Sequence, residues 1–128
     1  MKKTLKEGSR QITILIVEDD QDLRESLATA LRDEGYHVIW AQDADEAIVS
    51  VKAHKVNIVF MDICLPDMNG VKVYKAIKKI QSAATTVMMT GFFVQDLVDA
   101  AISAGAYAIL YKPFTVDDIL KMIKKITG

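Results

Sequence analysis

The sequence predicts an α/β fold, an open and doubly wound five-stranded parallel sheet with five helices on its two faces. Short apolar runs rich in β-branched residues alternate five times with segments whose apolar residues recur at helical spacing. No composition break, repeat or linker interrupts the alternation. Such a pattern produces a parallel sheet covered on both faces by helices. A closed eight-unit barrel needs about 250 residues, whereas this chain has 128.

The first half of the chain contains three predicted strands and two helices. Residues 12–17, 38–41 and 57–61 are apolar runs of strand length. Residues 22–34 carry apolar side chains at i, i+4, i+7 and i+8, which predicts a helix that Gly35 ends. Asp43 fits the N-cap of a second helix over residues 44–51.

The second half repeats the pattern. The segment Leu-Pro-Asp-Met-Asn-Gly at 65–70 is typical of a loop. Helices are predicted at 71–80 and 95–104, the latter ended by Gly105, and strands at 86–89 and 107–111. Thr115 fits the N-cap of a last helix over 116–126, whose apolar residues form one stripe.

The amino-acid composition and net charge limit the functions that this protein can have. Hydrophobic residues make up 51% and charged residues 26%, and the net charge of −1 favours neither nucleic acid nor an anionic membrane. No apolar run approaches the roughly 20 residues of a membrane span. Residues 1–11 form a polar extension without the apolar core of a signal peptide. The single cysteine, Cys64, fits a reducing compartment, so we expect a cytoplasmic protein.

Charged residues follow three of the predicted strands. Glu18 and Asp19 follow the first, Asp62 the third and Lys112 the fifth. Because the carboxyl ends of parallel strands meet at one edge, these groups are expected to gather there. Gathered carboxylates repel one another and need a cation, for which a hard divalent metal is suited. An aspartate can also act as a nucleophile toward phosphorus, so phosphoryl chemistry is the leading hypothesis. Thr90, after the fourth strand, adds a hydroxyl donor.

Four sequence motifs, in this order along the chain, indicate a protein family with this chemistry. They are I-L-I-V-E-D-D, V-F-M-D-I-C-L-P-D-M-N-G, V-M-M-T-G and Y-K-P-F. With them the chain resembles the receiver domain of two-component response regulators over residues 12–126, and the domain is placed at 12–128. The resemblance implies a flavodoxin-like, CheY-like fold with strand order 2-1-3-4-5. It also implies a phosphoacceptor that is not a conventional enzyme.

The resemblance assigns a metal site. Glu18 and Asp19 match the acidic pair that positions Mg²⁺, Asp19 most directly. Asp62 matches the phosphoacceptor and a further Mg²⁺ ligand. The backbone carbonyl of Cys64, two residues past the acceptor, matches the third protein ligand.

The resemblance also assigns the phosphoryl contacts and the partners. Thr90 and Lys112 match the residues that bind the phosphoryl group, and Pro113 follows the lysine through an expected cis bond. The phosphoryl donor would be a histidine kinase or a histidine phosphotransfer protein. Phosphorylation of Asp62 would draw Thr90 and Lys112 inward and shift the following loop and fourth helix. A partner would read the face formed by the fourth helix, fifth strand and fifth helix.

Three positions depart from the family pattern or tune it. Ile109 stands where the family has an aromatic switch residue, with Tyr107 and Tyr111 displaced to either side. Gly91 stands where alanine is common. Phe92 occupies a position that tunes dephosphorylation in the family, and we expect its bulk to slow attack by water.

Two other functions share the chemistry or the fold but fit the residues less well. A metal-dependent phosphohydrolase also uses an aspartyl phosphate, but such enzymes resemble D-x-D, and here Cys64 occupies the second position. A flavin-binding relative of the same fold would have a Ser/Thr-rich phosphate loop, not the acidic segment after the first strand. The chain ends soon after the fifth helix, so we expect either a single-domain regulator or a receiver cut from a longer protein with a missing output domain.

Overall fold

The computed structural model describes residues 12–91 and 94–128, so the predictions for the polar extension 1–11 and for Phe92 lie outside the described residues. The described residues form five strands and five helices in strict alternation. The strands are β1 (Thr13–Val17), β2 (His37–Ala41), β3 (Ile58–Asp62), β4 (Thr85–Thr90) and β5 (Ala108–Tyr111). The helices are α1 (Gln21–Asp33), α2 (Ala44–Ala53), α3 (Gly70–Ile80), α4 (Gln95–Ser103) and α5 (Val116–Thr127).

All strand pairs in the sheet are parallel, in the order β2-β1-β3-β4-β5. This confirms the predicted fold class and strand order. Observed element ends differ from the predicted ones by a residue or two. Asp62 and Thr90, for example, are the last residues of β3 and β4. The ladder includes both, because Asp62 pairs with Met89 and Thr90 pairs with Tyr111.

The sheet separates two hydrophobic clusters. One contains Leu15, Val17, Val59 and Met61 of the central strands and packs against α2, α3 and α4. The other contains Ile14, Ile16, Ile58 and Phe60 and packs against α1 and α5. Because β1 and β3 are covered on both faces, their side chains are buried along nearly their whole length. The charged residues at the ends of these two strands therefore emerge from the buried centre of the sheet.

Four of the five described helices begin at a residue whose side chain accepts a hydrogen bond from the first turn. These N-caps are Asp20 for α1, Asp43 for α2, Asn69 for α3 and Thr115 for α5. The cap of α5 is a full capping box, because Asp118 accepts in return from the backbone N–H of Thr115. The N-cap of α4 is Val94, whose side chain cannot accept a hydrogen bond, so this helix has no side-chain cap.

The buried face of α1 differs from the predicted stripe. The helix buries Arg24, Leu27, Ala28 and Leu31, whereas Leu23 is only partly buried. The apolar pattern could not reveal this, because a buried position in the stripe is occupied by an arginine. As for the membrane, none of the described helices is long and apolar enough to cross a bilayer.

Candidate functional site

The predicted carboxylates meet at the carboxyl edge of the two central strands. Val17 pairs with Met61, so Glu18 and Asp62, the residues that follow, are neighbours across β1 and β3. Glu18, Asp19 and Asp62 each place one carboxylate oxygen within 4.8 Å of the other two. Glu18 and Asp62 are buried, and Asp19 is exposed. The cluster therefore has a buried floor and one side open to solvent.

Lys112 reaches this cluster from the other side of β4. Its Nζ donates to Oε1 of Glu18 at 2.7 Å and to Oδ2 of Asp62 at 2.9 Å. The aliphatic part of the side chain passes Gly91, where an added Cβ would lie 3.5 Å from Cδ of Lys112. The peptide bond from Lys112 to Pro113 is cis, as predicted. One lysine thus bridges two of the three clustered carboxylates.

Burial and ion pairing act in opposite directions on these groups. Burial raises the pKa of Glu18 above its ordinary value, although the hydrogen bond from Lys112 partly offsets the effect. For Lys112, burial lowers the pKa, but the hydrogen bonds to Glu18 and Asp62 outweigh it, so the net pKa is raised. The lysine is therefore cationic at neutral pH. Three carboxylates and one ammonium leave a formal charge of −3 + 1 = −2 when all are ionised.

The second oxygen of Asp62 is held by the backbone. Oδ1 of Asp62 accepts from the backbone N–H of Cys64 at 2.8 Å. The thiol of Cys64 packs beside the buried cluster on the α2–α4 side. Burial, followed by the charge of Asp62, raises the pKa of this thiol, so it is protonated at neutral pH. A protonated and partly buried thiol acts here as a small hydrophobic side chain that packs against the core.

Thr90 is brought to the same edge, one strand further along. It is the last residue of β4 and is buried. Its backbone carbonyl accepts from the backbone N–H of Lys112 at 2.7 Å. The threonine and the lysine are therefore joined through the main chain at the point where both strands end.

The displaced aromatics do not fill the position of the missing switch residue. Ile109 pairs with Met88 and packs against the α2–α4 cluster. Tyr107 and Tyr111 are 49% and 51% exposed. At this position β5 therefore places an aliphatic side chain in the buried cluster, and Thr90 is joined to the end of β5 through the main chain.

A close approach of backbone explains Gly70, which sequence reasoning treated only as a loop residue. A Cβ at Gly70 would lie 2.6 Å from the backbone oxygen of Asp62 and 2.8 Å from Cα of Ile63. Both neighbouring atoms belong to the main chain and cannot rotate away. Glycine therefore lets α3 begin directly against the end of β3, next to Asp62.

Two further charged residues support the site and were not predicted. Arg24 donates from Nη1 to the backbone oxygen of Glu18 at 3.0 Å. The carboxylate of Asp67 accepts from the backbone N–H groups of Ala44 at 3.0 Å and Asp45 at 3.3 Å. Asp67 thus joins the segment after β3 to the first turn of α2. Neither residue gave a local sequence signal: an apolar pattern does not mark a buried arginine, and the partners of Asp67 lie more than twenty residues away.

Comparison with known proteins places this geometry in a family. The model of the response regulator receiver domain matches residues 14–124. The chemotaxis protein CheY of Bacillus subtilis is 35% identical, over 88% of this chain and 94% of that protein. The transcriptional regulatory protein PdtaR of Mycobacterium tuberculosis is 38% identical over 87% of this chain. The chain spans only about half, 54%, of the length of that regulator.

The solved structures agree with the sequence comparison. A CheY-like receiver domain from Methanospirillum hungatei superposes with a TM-score of 0.87 at 32% identity, covering 91% of this chain and 94% of that one. The chain therefore belongs to the response regulator receiver domains of two-component systems, a family whose members are phosphorylated on an aspartate and serve as phosphoacceptors rather than as conventional enzymes.

Proposed function

We propose that this chain is a phosphorylation-activated signalling switch whose phosphoacceptor is Asp62. One observation carries the proposal. Nζ of Lys112 bridges Asp62 and Glu18, within a cluster of three carboxylates at the carboxyl edge of the sheet. This arrangement places the nucleophile, a compensating cation and two further carboxylates around one point. The phosphoryl donor is a histidine kinase or a histidine phosphotransfer protein, as is general for the family.

The transfer step is a substitution at phosphorus. A carboxylate oxygen of Asp62 forms the new O–P bond while the P–N bond of the donor phosphohistidine breaks, and the electron pair of that bond stays on the imidazole nitrogen. The ammonium of Lys112 lies close enough to compensate the charge of the incoming phosphoryl oxygens. The backbone N–H of Cys64 holds the other carboxylate oxygen of Asp62, which fixes the orientation of the nucleophile.

The donor set of the cluster fits Mg²⁺. Glu18, Asp19 and Asp62 supply oxygen ligands, which hard divalent cations prefer, and the backbone carbonyl of Cys64 completes the proposed protein ligands. When bound, Mg²⁺ would neutralise the formal −2 of the cluster and so remove the repulsion that a negatively charged phosphoryl group would otherwise meet there. The exposure of Asp19 leaves an open side through which the donor can approach.

The output surface is proposed to be the face formed by α4, β5 and α5. Phosphorylation of Asp62 adds charge and acceptor oxygens beside Thr90 and Lys112, and we expect both side chains to contact the phosphoryl group. The described part of this face presents large apolar side chains to solvent, an arrangement that suits contact with a protein. These are Ile102, Tyr107, Tyr111 and Val116, which are 55%, 49%, 51% and 39% exposed. The partner is a downstream protein or an output domain.

The test is mass spectrometry of the intact protein after incubation with acetyl phosphate and Mg²⁺. The wild type should gain the mass of one phosphoryl group, and Asp62→Asn should gain none. Asp22→Asn is the matched control, because it removes an exposed carboxylate in the first turn of α1, outside the cluster, and should label like the wild type. An unlabelled wild type would refute the proposed activity, and equal labelling of Asp62→Asn would show that another residue is the acceptor.

A further inference from the structure

Arg24 is a buried cation for which the proposed phosphotransfer chemistry has no direct use. Its side chain projects from α1, and the residue is 5% exposed. Within the described residues its guanidinium forms no salt bridge, and its buried Nε has no hydrogen-bond partner. Because a buried charge without a carboxylate partner is costly, the contacts that Arg24 does make are informative.

Those contacts are with the segment that carries the acidic pair. Nη1 of Arg24 donates to the backbone oxygen of Glu18 at 3.0 Å. The backbone N–H of Glu18 donates to the carbonyl of Ala41 at 3.0 Å, and Oε2 of Glu18 accepts from the N–H of Asp20 at 3.1 Å. Arg24 therefore supplies the contact that holds the carbonyl side of the Glu18–Asp19 peptide plane.

The guanidinium of Arg24 also stacks on a partly exposed aromatic ring. It lies over the ring of Trp40, with Cζ 4.2 Å from the ring centroid. Trp40 is on the edge strand β2 and is 42% exposed, so its ring lies between the buried guanidinium and solvent. Stacking of this kind suits the planar guanidinium of arginine and is much less suited to the ammonium of lysine.

Arg24 and Lys112 differ in which atoms of the acidic cluster they contact. Lys112 contacts the carboxylates of Glu18 and Asp62 themselves. Arg24 contacts only the main chain of Glu18, so it fixes the segment without occupying a carboxylate oxygen that a metal would need. Holding the ligand-bearing backbone in place reduces the ordering that metal binding requires.

We propose that Arg24 is a positioning residue that sets the affinity of the acidic cluster for Mg²⁺ by holding the main chain of Glu18. This inference rests on the proposed function, because it assumes that Glu18, Asp19 and Asp62 bind the metal. Trp40 has a supporting role, since it keeps the guanidinium in the orientation that reaches Glu18.

The same helix provides a matched control. Arg32 also lies in α1 and also donates to a backbone carbonyl, from Nη2 to Val38 at 2.9 Å. Val38 lies at the opposite end of β2 from Ala41, far from the acidic cluster. Arg32→Met therefore removes an arginine-to-carbonyl contact of the same kind without touching the segment after β1.

The experiment measures the dissociation constant for Mg²⁺ by isothermal titration calorimetry on wild type, Arg24→Met and Arg32→Met. We expect Arg24→Met to weaken Mg²⁺ binding about tenfold or more, as supporting residues around metal ligands commonly do, and Arg32→Met to leave it unchanged. Phosphorylation of Asp62 by acetyl phosphate should then need correspondingly more Mg²⁺ in Arg24→Met and reach the wild-type rate at saturation. Should Arg24→Met not fold, Arg24→Lys, which keeps the charge and most of the stem, is measured instead with the same expectation.

The outcomes separate this inference from the proposed function. If the wild type binds Mg²⁺ and Arg24→Met or Arg24→Lys binds it equally well, Arg24 is only structural and the inference is wrong. An equal loss of affinity in Arg32→Met would overturn it as well, because the effect would then follow from general weakening of α1. If the wild type binds no Mg²⁺ at all, the proposed metal site fails, and the inference fails with it.

Discussion

The site has a carboxylate side, formed by Glu18, Asp19 and Asp62, and a threonine side, formed by Thr90. The two sides are connected to the rest of the fold in different ways. On the carboxylate side, the segments after β1 and β3 lead into α1 and α3, whose N-caps Asp20 and Asn69 bind the first turns. On the threonine side, β4 leads toward α4, whose N-cap residue Val94 provides no side-chain cap. Helix α4 is nine residues long and buries only Val98 and Ala101.

This difference suits a switch that must hold one half of its site still while the other half moves. The proposed metal and phosphoryl site would need ligands in fixed positions, and the capped segments of the carboxylate side suit that requirement. A conformational signal is carried most readily by an element with few buried contacts, because such an element has the lowest local stability. We therefore expect Thr90 and α4 to respond to phosphorylation, while β1, β3 and α3 stay in place.

The largest effect is expected on the carboxylate side, from Gly70→Ala. The new Cβ would lie 2.6 Å from the backbone oxygen of Asp62, so β3 and α3 would have to separate. We expect a loss of about 3 kcal/mol in the free energy of unfolding, measured by urea denaturation, together with slower phosphorylation of Asp62. A variant as stable as the wild type would show that the start of α3 can shift freely.

The next effect concerns the helix caps. Asn69→Ala removes the acceptor that binds the N–H of Lys72 at 3.0 Å and should cost about 1 kcal/mol of stability. Asn69→Asp keeps the acceptor and serves as the control.

On the threonine side, Val94→Thr adds a hydroxyl at the uncapped start of α4 and should slow amide hydrogen exchange in that helix. If Val94→Thr leaves exchange in α4 unchanged, the missing cap does not explain its expected mobility.

A smaller effect of opposite sign is expected from Gly91→Ala, on the threonine side. An added Cβ would be in ordinary contact with Lys112, 3.5 Å from its Cδ, and Gly91 does not have a positive φ. The substitution should therefore raise stability by about 0.5 kcal/mol, because it restricts the unfolded chain. It is the counterpart of Gly70→Ala, and destabilisation by both substitutions would argue against the difference between the two sides.

The smallest effect is expected in the pH dependence of stability. Hydrogen bonds from the backbone N–H groups of Ala44 and Asp45 lower the pKa of Asp67 below its ordinary value. A lowered folded-state pKa means that Asp67 stabilises the fold above the ordinary carboxyl pKa and that this contribution is lost as pH falls through the folded-state value.

The comparison of wild type with Asp67→Asn tests this sign. Urea denaturation from about pH 6 to about pH 3 should show the stability advantage of the wild type shrinking toward acid pH. A constant difference across this range would mean that the carboxylate of Asp67 titrates as it does in the unfolded chain.

Much of this molecule could be predicted from sequence, because the relevant signals are local. Strand order followed from the family resemblance, and buried strands ending in charge placed Glu18, Asp62 and Lys112 at one edge. The supporting contacts escaped prediction because they depend on tertiary packing. Arg24 occupies a buried position that a hydrophobic pattern cannot distinguish from an exposed one, and the close approach at Gly70 depends on where α3 meets β3.

The stacking of Trp40 on Arg24 has a practical consequence. Trp40 is the single tryptophan of the chain. Fluorescence excited at wavelengths that only tryptophan absorbs therefore comes from one indole in one environment. That indole covers the guanidinium that holds the segment carrying the acidic pair. The unlabelled protein therefore contains an intrinsic fluorophore beside this segment, and we expect stopped-flow recording of its intensity to report cation binding and phosphoryl transfer at the proposed site.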